Sequence, residues 1–300
     1  MVRIIKILKG RWTLEGAGVK LYRVFGGTEL ARLTDPFLLL DHFGSRYPHE
    51  YLMGFPWHPH RGIETVTYVI KGEVHHEDST GTKGVIRSGD IQWMTAGSGI
   101  YHSEMPKPFK IKVGNEVIED PEMYGFQLWV NLPSKRKMTD PKYRNLTREY
   151  VPTISTDEGS KVKVISGKIY EPGTGIVVGP AQDLNNPVTY LDINVYVDAP
   201  FRYRAEEGFT TLAYIYEGKV SINKVSIEKG ELAVLDRRGG DISVEGDGKL
   251  LFLMGRPINE PIAWWGPIVM NTWDEIEEAI TELKRGDFIK SKAIDYDYFK

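Results

Sequence analysis

Hydrophobic and polar positions along this chain fall into short runs separated by turn residues. From Ile63 to Ile70 the residues are mainly Thr, Val, Tyr and Ile, which suit a β-strand. Lys71-Gly72 turns the chain, and Glu73 to Glu77 reads as a returning strand. Ser79 to Gly84 turns it again into Val85-Ile86-Arg87, and Ser88-Gly89-Asp90 leads into Ile91-Gln92-Trp93-Met94. The same texture covers Val2 to Leu8, Val19 to Phe25, the buried run Leu38 to Leu40, and Tyr124 to Leu132, which ends at Pro133. A hairpin is expected at Val113-Gly114-Asn115-Glu116. Strands spaced ~8–12 residues apart between turn signals predict an all-β sandwich or barrel.

The second half repeats the first. Thr211 to Val220 can be laid on Val66 to Val74 with tyrosines and glycines in step, and Lys229 to Leu235 follows Ser88 to Met94. A duplicated strand-rich unit predicts two β-barrels in tandem. The expected division is a leading barrel over residues 1–133, a polar linker over 134–160, a second barrel over 161–258 and a tail over 259–300. The tail holds one helical pattern, 273–285. Thr272 and Glu275 form a capping box, Ile276, Ala279, Ile280 and Leu283 make an apolar stripe, and Gly286 is the stop.

Composition narrows the chemistry. The 300 residues carry a net charge of −3 with dispersed basic residues, so charge gives no sign of nucleic-acid binding. The absence of cysteine excludes disulfides and thiolate metal sites. No apolar run approaches the ~20 residues of a membrane helix. The first residues read as a strand, not a signal peptide, so a cytoplasmic location is expected.

All seven histidines lie at or before His102. His42, His49, His75 and His76 read as structural, the last two on a solvated hairpin beside Glu77 and Asp78. His58 and His60 are two residues apart, as are His102 and Glu104. Residues i and i+2 of a strand share a face, so three imidazoles and a carboxylate can converge inside a barrel as a first-row metal site. Glu64, four residues beyond His60, competes with Glu104 for the carboxylate position. In the repeat register His58 and His60 fall opposite Arg204 and Glu206, and His102 opposite Ser243, so the second barrel has no metal ligands.

The spacing His58-x-His60-x3-Glu64-x7-Gly72, followed by Gly89-x7-Gly97-x4-His102, resembles the two motifs of the cupin superfamily. Thr95 stands where cupins usually have proline, and two extra residues precede His102. These departures are similar to those of the pirins. So are Asp35-Pro-Phe-Leu-Leu-Leu-Asp41, His58-Pro-His-Arg-Gly62, Gly89 to Gly97, His102-Ser-Glu104, Phe126 to Pro133, Glu260-Pro261 and Gly266 to Thr272. The resemblance implies a bicupin of jelly-roll type with a metal in the leading barrel only. It selects His58, His60, His102 and Glu104 as ligands and leaves Glu64 as a neighbour. It implies Fe(II) as the metal, with Mn, Ni, Cu, Co and Zn as alternatives.

Four protein ligands leave two positions open on a six-coordinate ion, for substrate oxygen and for water or dioxygen. Phe55, Trp57, Trp93 and Met94 could line an apolar pocket there, or equally form barrel core. The resemblance further implies quercetin 2,3-dioxygenase activity, with Glu104 as general base toward the flavonol 3-hydroxyl. The expected partners are a small aromatic substrate and dioxygen, with no direct nucleic acid and no membrane. A rival implication is an iron-dependent redox-sensing co-regulator that binds a protein partner. Arg61 and Lys135-Arg136-Lys137 are its candidate basic surface. A third reading makes the metal purely structural.

Overall fold

The computed structural model describes residues 1–113 and 116–296. Strands dominate it; its two α-helices among the described residues are α1 (Thr28–Thr34) and α2 (Trp273–Arg285). The expected turn at Gly114-Asn115 lies outside the described residues. No helix among those described is long and apolar enough to cross a membrane. The chain resolves into two compact units.

The unit that carries every histidine consists of Arg11–Thr28, Leu38–Arg148 and Glu260–Lys300. The first strand, β1 (Ile4–Lys9), is not in it. In chain order its strands begin with β2 (Arg11–Glu15), β3 (Val19–Gly26), β4 (Phe37–Ser45), β5 (Phe55–His60), β6 (Ile63–Lys71) and β7 (Glu73–Asp78). They continue with β8 (Lys83–Arg87), β9 (Ile91–Thr95), β10 (Ile100–Lys107), the hairpin β11 (Phe109–Val113) and β12 (Glu116–Asp120), β13 (Met123–Asn131) and β14 (Lys142–Leu146). One sheet has the order β5-β10-β7-β8. The other runs β2-β3-β4-β13-β6-β9-β14 and ends on Ile294–Tyr296. Alternation is clean on β10, where Ile100, His102, Glu104 and Pro106 are buried and the residues between them less so. Val19, Leu21, Phe43, Val69, Val74 and Met123 form an apolar cluster in this unit.

The other unit consists of Met1–Gly10, Glu29–Phe37 and Glu149–Asn259. Its interior is hydrocarbon: Val164, Leu191, Phe201, Ile215, Val244 and Phe252 are fully buried in one cluster. The duplication shows in the pairings. Phe201–Ala205 pairs with Gly240–Gly255 as β5 pairs with β10, and Thr210–Ile222 pairs with Glu231–Leu235 as β6 pairs with β9. Phe201 and Ala205 face inward. Arg204 and Glu206, laid opposite the histidines in sequence, are exposed, and Arg204 is ion-paired with Asp241 at 3.1 Å.

The segments differ from those expected in two places. Strand β1 pairs antiparallel with Glu231–Leu235, in the second unit rather than the first. Within 134–160, expected as linker, β14 pairs with β9, and Thr153–Ser155 pairs with Lys161–Ser166. The tail from Glu260 packs with the histidine-bearing unit. A strand joins whatever sheet edge is open to it, and local sequence does not encode which edge that is.

Helix α2 spans the predicted residues. Glu275 N donates to the Thr272 hydroxyl, the Glu275 carboxylate accepts from Thr272 N, and Gly286 ends the helix at φ 80°. Ile276 and Ala279 are buried with Ala263, Ile268, Met270 and Phe288. Burying the isoleucine alone is worth ~1.5–3 kcal/mol.

Candidate metal centre

Strands β5 and β10 lie side by side, with His58 opposite His102 and His60 opposite Ile100. This register gathers three imidazoles. Their ring centroids are 4.8 Å apart for His58 and His60, 4.4 Å for His58 and His102, and 5.1 Å for His60 and His102. One nitrogen from each ring lies within 4.8 Å of the other two, the only such group of His, Asp or Glu among the described residues.

The hydrogen bonds fix the tautomers. His58 Nδ1 lies 2.8 Å from the Pro56 carbonyl oxygen, and His60 Nδ1 lies 3.1 Å from that of Pro267. A carbonyl only accepts, so both Nδ1 atoms carry the proton and both Nε2 atoms present bare lone pairs. Yet the two Nε2 atoms are 3.1 Å apart. Two lone pairs at that distance repel unless a proton or a cation stands with them. Burial pushes the pKa of His58 down, and burial plus neighbouring imidazoles push His60 and His102 well down, so added protons are disfavoured. His102 is buried, and neither of its ring nitrogens has a hydrogen-bond partner among the described residues. Orphaned buried nitrogens are costly in a purely structural role. Neutral imidazoles with converging lone pairs, two of them oriented by carbonyls, fit a divalent first-row cation.

Glu104 stands beside this triangle, with Oε2 3.9 Å from His102 Nε2. The Thr67 hydroxyl donates to its Oε1 at 2.9 Å. Thr67 also lies 2.6 Å from the Gln127 side-chain amide. The atom facing it is Gln127 Oε1, and one hydroxyl proton serves only one of the two acceptors at a time. Burial raises the Glu104 carboxyl to about 7, partly opposed by Thr67. Glu64 is buried too, but its carboxylate is engaged elsewhere: Trp93 Nε1 donates to Oε2 at 2.9 Å and the Thr95 hydroxyl to Oε1 at 2.7 Å. Gly62, at φ 78°, separates β5 from β6 between His60 and Glu64.

A cavity of about 790 Å³ opens over His58, His60 and Glu104. Phe55 and Trp57 line it, while Trp93 and Met94 are core and do not. Trp129 and Trp264 complete the aromatic wall, with the Trp129 ring 5.1 Å from that of His60. Sequence reading missed both tryptophans, and also Thr67 and Gln127. Period-two alternation on β6 and β13 was the available signal for the polar pair. Asp41 lines the cavity, held by Arg23 through two bonds of 2.9 Å.

Other expectations are corrected. Arg61 is not a surface residue. It is 2% exposed, with Nε donating to the Ser98 carbonyl and Nη2 to that of Phe288. Lys137 is also 2% exposed, and its ammonium donates to Gly62 O, Val269 O and Asn131 Oδ1 at 2.8–2.9 Å. His76 is not solvated. It is buried, stacks on Tyr143 and accepts from the Gln92 amide at 2.8 Å.

A duplicated β fold with one histidine-lined unit and one hydrocarbon-filled unit defines a bicupin. Residues 18–130 match the family described as Pirin, and residues 190–289 match the Pirin C-terminal cupin domain. A Thermoplasma acidophilum relative, provisionally named quercetin 2,3-dioxygenase, is 42% identical over 83% of this chain and 98% of its own. A pirin-like protein of Caulobacter vibrioides is 41% identical over 95% of this chain and 98% of its own. The solved structure of quercetin 2,3-dioxygenase from Acinetobacter baumannii superposes with a TM-score of 0.83 at 35% identity, covering 96% of this chain and 98% of that one. The chain belongs to the pirin family.

Proposed function

We propose that this protein is a metal-dependent dioxygenase of the pirin type that opens the heterocycle of a flavonol such as quercetin with dioxygen, releasing carbon monoxide. His58, His60, His102 and Glu104 would hold the metal, with Fe(II) the first choice. When bound, the ion supplies Lewis-acid and one-electron redox chemistry. The observation that carries this reading is the meeting of three imidazoles beside a buried carboxylate, with His58, His60 and Glu104 lining an aromatic-walled cavity.

The chain's own residues then have distinct tasks. Trp57, Phe55 and Trp129 offer flat apolar walls to a planar substrate and keep water away. Thr67 holds Oε1 of Glu104, leaving Oε2 on the histidine side to accept the substrate hydroxyl proton. The carbonyls of Pro56 and Pro267 keep His58 and His60 in the tautomer that points Nε2 inward.

The decisive assay is aerobic turnover of quercetin by iron-loaded protein, set against His58→Ala. Turnover should fall at least 100-fold in the variant; equal rates would remove the reading. The co-regulator alternative loses Arg61 and Lys137 from its candidate basic surface, because both are buried, and keeps the exposed Lys135 and Arg136.

A further inference from the structure

The tail reaches the histidine cluster by three routes. Pro267 O accepts from His60 Nδ1 at 3.1 Å. Val269 N donates to Arg61 O at 3.0 Å, next along the chain. The Arg61 guanidinium enters a pocket made by the end of α2 and the turn after it. Nη2 lies 2.6 Å from Glu282 Oε2 and donates to Phe288 O at 2.8 Å, and the guanidinium sits 4.2 Å from the Phe288 ring centre. The contact with Glu282 is an ion pair at close range, made by the same Nη2 that donates one of its two hydrogens to Phe288 O. Lys290 meets the other oxygen of Glu282 at 2.6 Å.

This is a heavy investment for one arginine. A guanidinium that is 2% exposed needs its charge met, and Glu282 is the only carboxylate shown in contact with it among the described residues. Arg61 directly follows His60, so whatever fixes Arg61 fixes the strand end that aims the His60 ring.

We propose that Glu282 of α2, acting through Arg61, is a positioning residue that aims His60 and so sets how tightly the three-histidine centre holds a divalent cation. The proposal rests on the metal-site reading above. It assigns α2 a role at the centre, where its sequence suggested only a structural helix.

The test uses the full chain and Co(II) or Ni(II). Metal-free wild type, Glu282→Gln, the shape control Glu282→Asp and the helix control Glu277→Gln are titrated against a competing chelator. The visible spectrum of the Co(II) form and the thermal midpoint are recorded for each. Glu282→Gln should weaken binding about 10- to 100-fold and alter the Co(II) absorption. Glu277→Gln, an exposed change of equal charge on the same helix, should stay within twofold. A folded Glu282→Gln with wild-type affinity and spectrum overturns the proposal, and so does a lowered midpoint with unchanged affinity. If Glu282→Gln does not fold, Glu282→Asp carries the same criteria. Failure of wild type itself to bind metal would instead overturn the parent reading, a separately visible result.

Discussion

At the scale of single residues, the pairs His58/His60 and His102/Glu104 were legible because a strand repeats every two residues. Their outer partners were not. Pro267 meets His60 across 207 positions of chain, and nothing local to either residue announces the contact. Lys137 is the sharpest case. In Lys135-Arg136-Lys137 it reads as one of a solvated run, yet it is buried while its two neighbours are exposed. Burial pushes its ammonium down to about 7, with Glu275 and Glu260 pulling the other way, and three oxygens accept its three N–H groups. Lys137→Met should therefore cost roughly 2–4 kcal/mol in denaturant unfolding, because it strands Gly62 O, Val269 O and Asn131 Oδ1. The pH dependence has a definite sign. Between about 7 and 10.5 the unfolded chain holds a proton on Lys137 that the folded chain sheds. The penalty for burying the charge is full below that window and gone above it, so stability contributed at this site rises with pH. The stability gap between wild type and Lys137→Met should widen from pH 7 to pH 10. A gap that stays constant over that range would show that the lysine is held protonated by its three acceptors throughout.

At the scale of elements, α2 was fully legible, since its cap, stripe and stop are all local. The joint between β5 and β6 was not. Gly62 was read only as part of a motif, but its φ of 78° and its contacts explain why glycine stands there. A Cβ at that position would lie 1.9 Å from Val269 O and 3.0 Å from Met270 Sδ. Gly62 N also donates to Gly97 O at 2.8 Å, so the loop cannot simply swing away. Gly62→Ala should cost about 2–4 kcal/mol, more than the ~1 kcal/mol of the dihedral alone, because the Val269 strand must retreat. That retreat takes Pro267 away from His60. Urea unfolding and metal titration should therefore deteriorate together in this variant. A loss of stability with metal affinity intact would mean that the joint serves the fold alone.

At the scale of the whole chain, duplication gave two units of like strand pairing and unlike contents. The repeat alignment captured the pairing but misread the faces. Side-chain direction reverses with a one-residue slip, and Arg204, laid opposite His58, points to solvent while Phe201 and Ala205 face inward. The difference in contents has a physical consequence. An interior filled by Phe201, Val244 and Phe252 offers a cation no lone pair, and desolvating an ion there would cost several kcal/mol without return. The other interior gathers three imidazoles, two of them with bare Nε2 atoms 3.1 Å apart whose mutual repulsion a cation removes. Metal titration of the metal-free chain should therefore saturate at one divalent ion, and the bound ion should stabilise the folded state. At a free concentration of 100 times Kd the gain is about 2.7 kcal/mol, readable as a raised thermal midpoint. His102→Ala should abolish the metal-dependent part of that rise, although it also removes two orphaned nitrogens from the interior and so need not destabilise the metal-free chain. Two ions bound per chain with comparable affinity, or a rise that survives in His102→Ala, would place the cation somewhere other than among the three histidines.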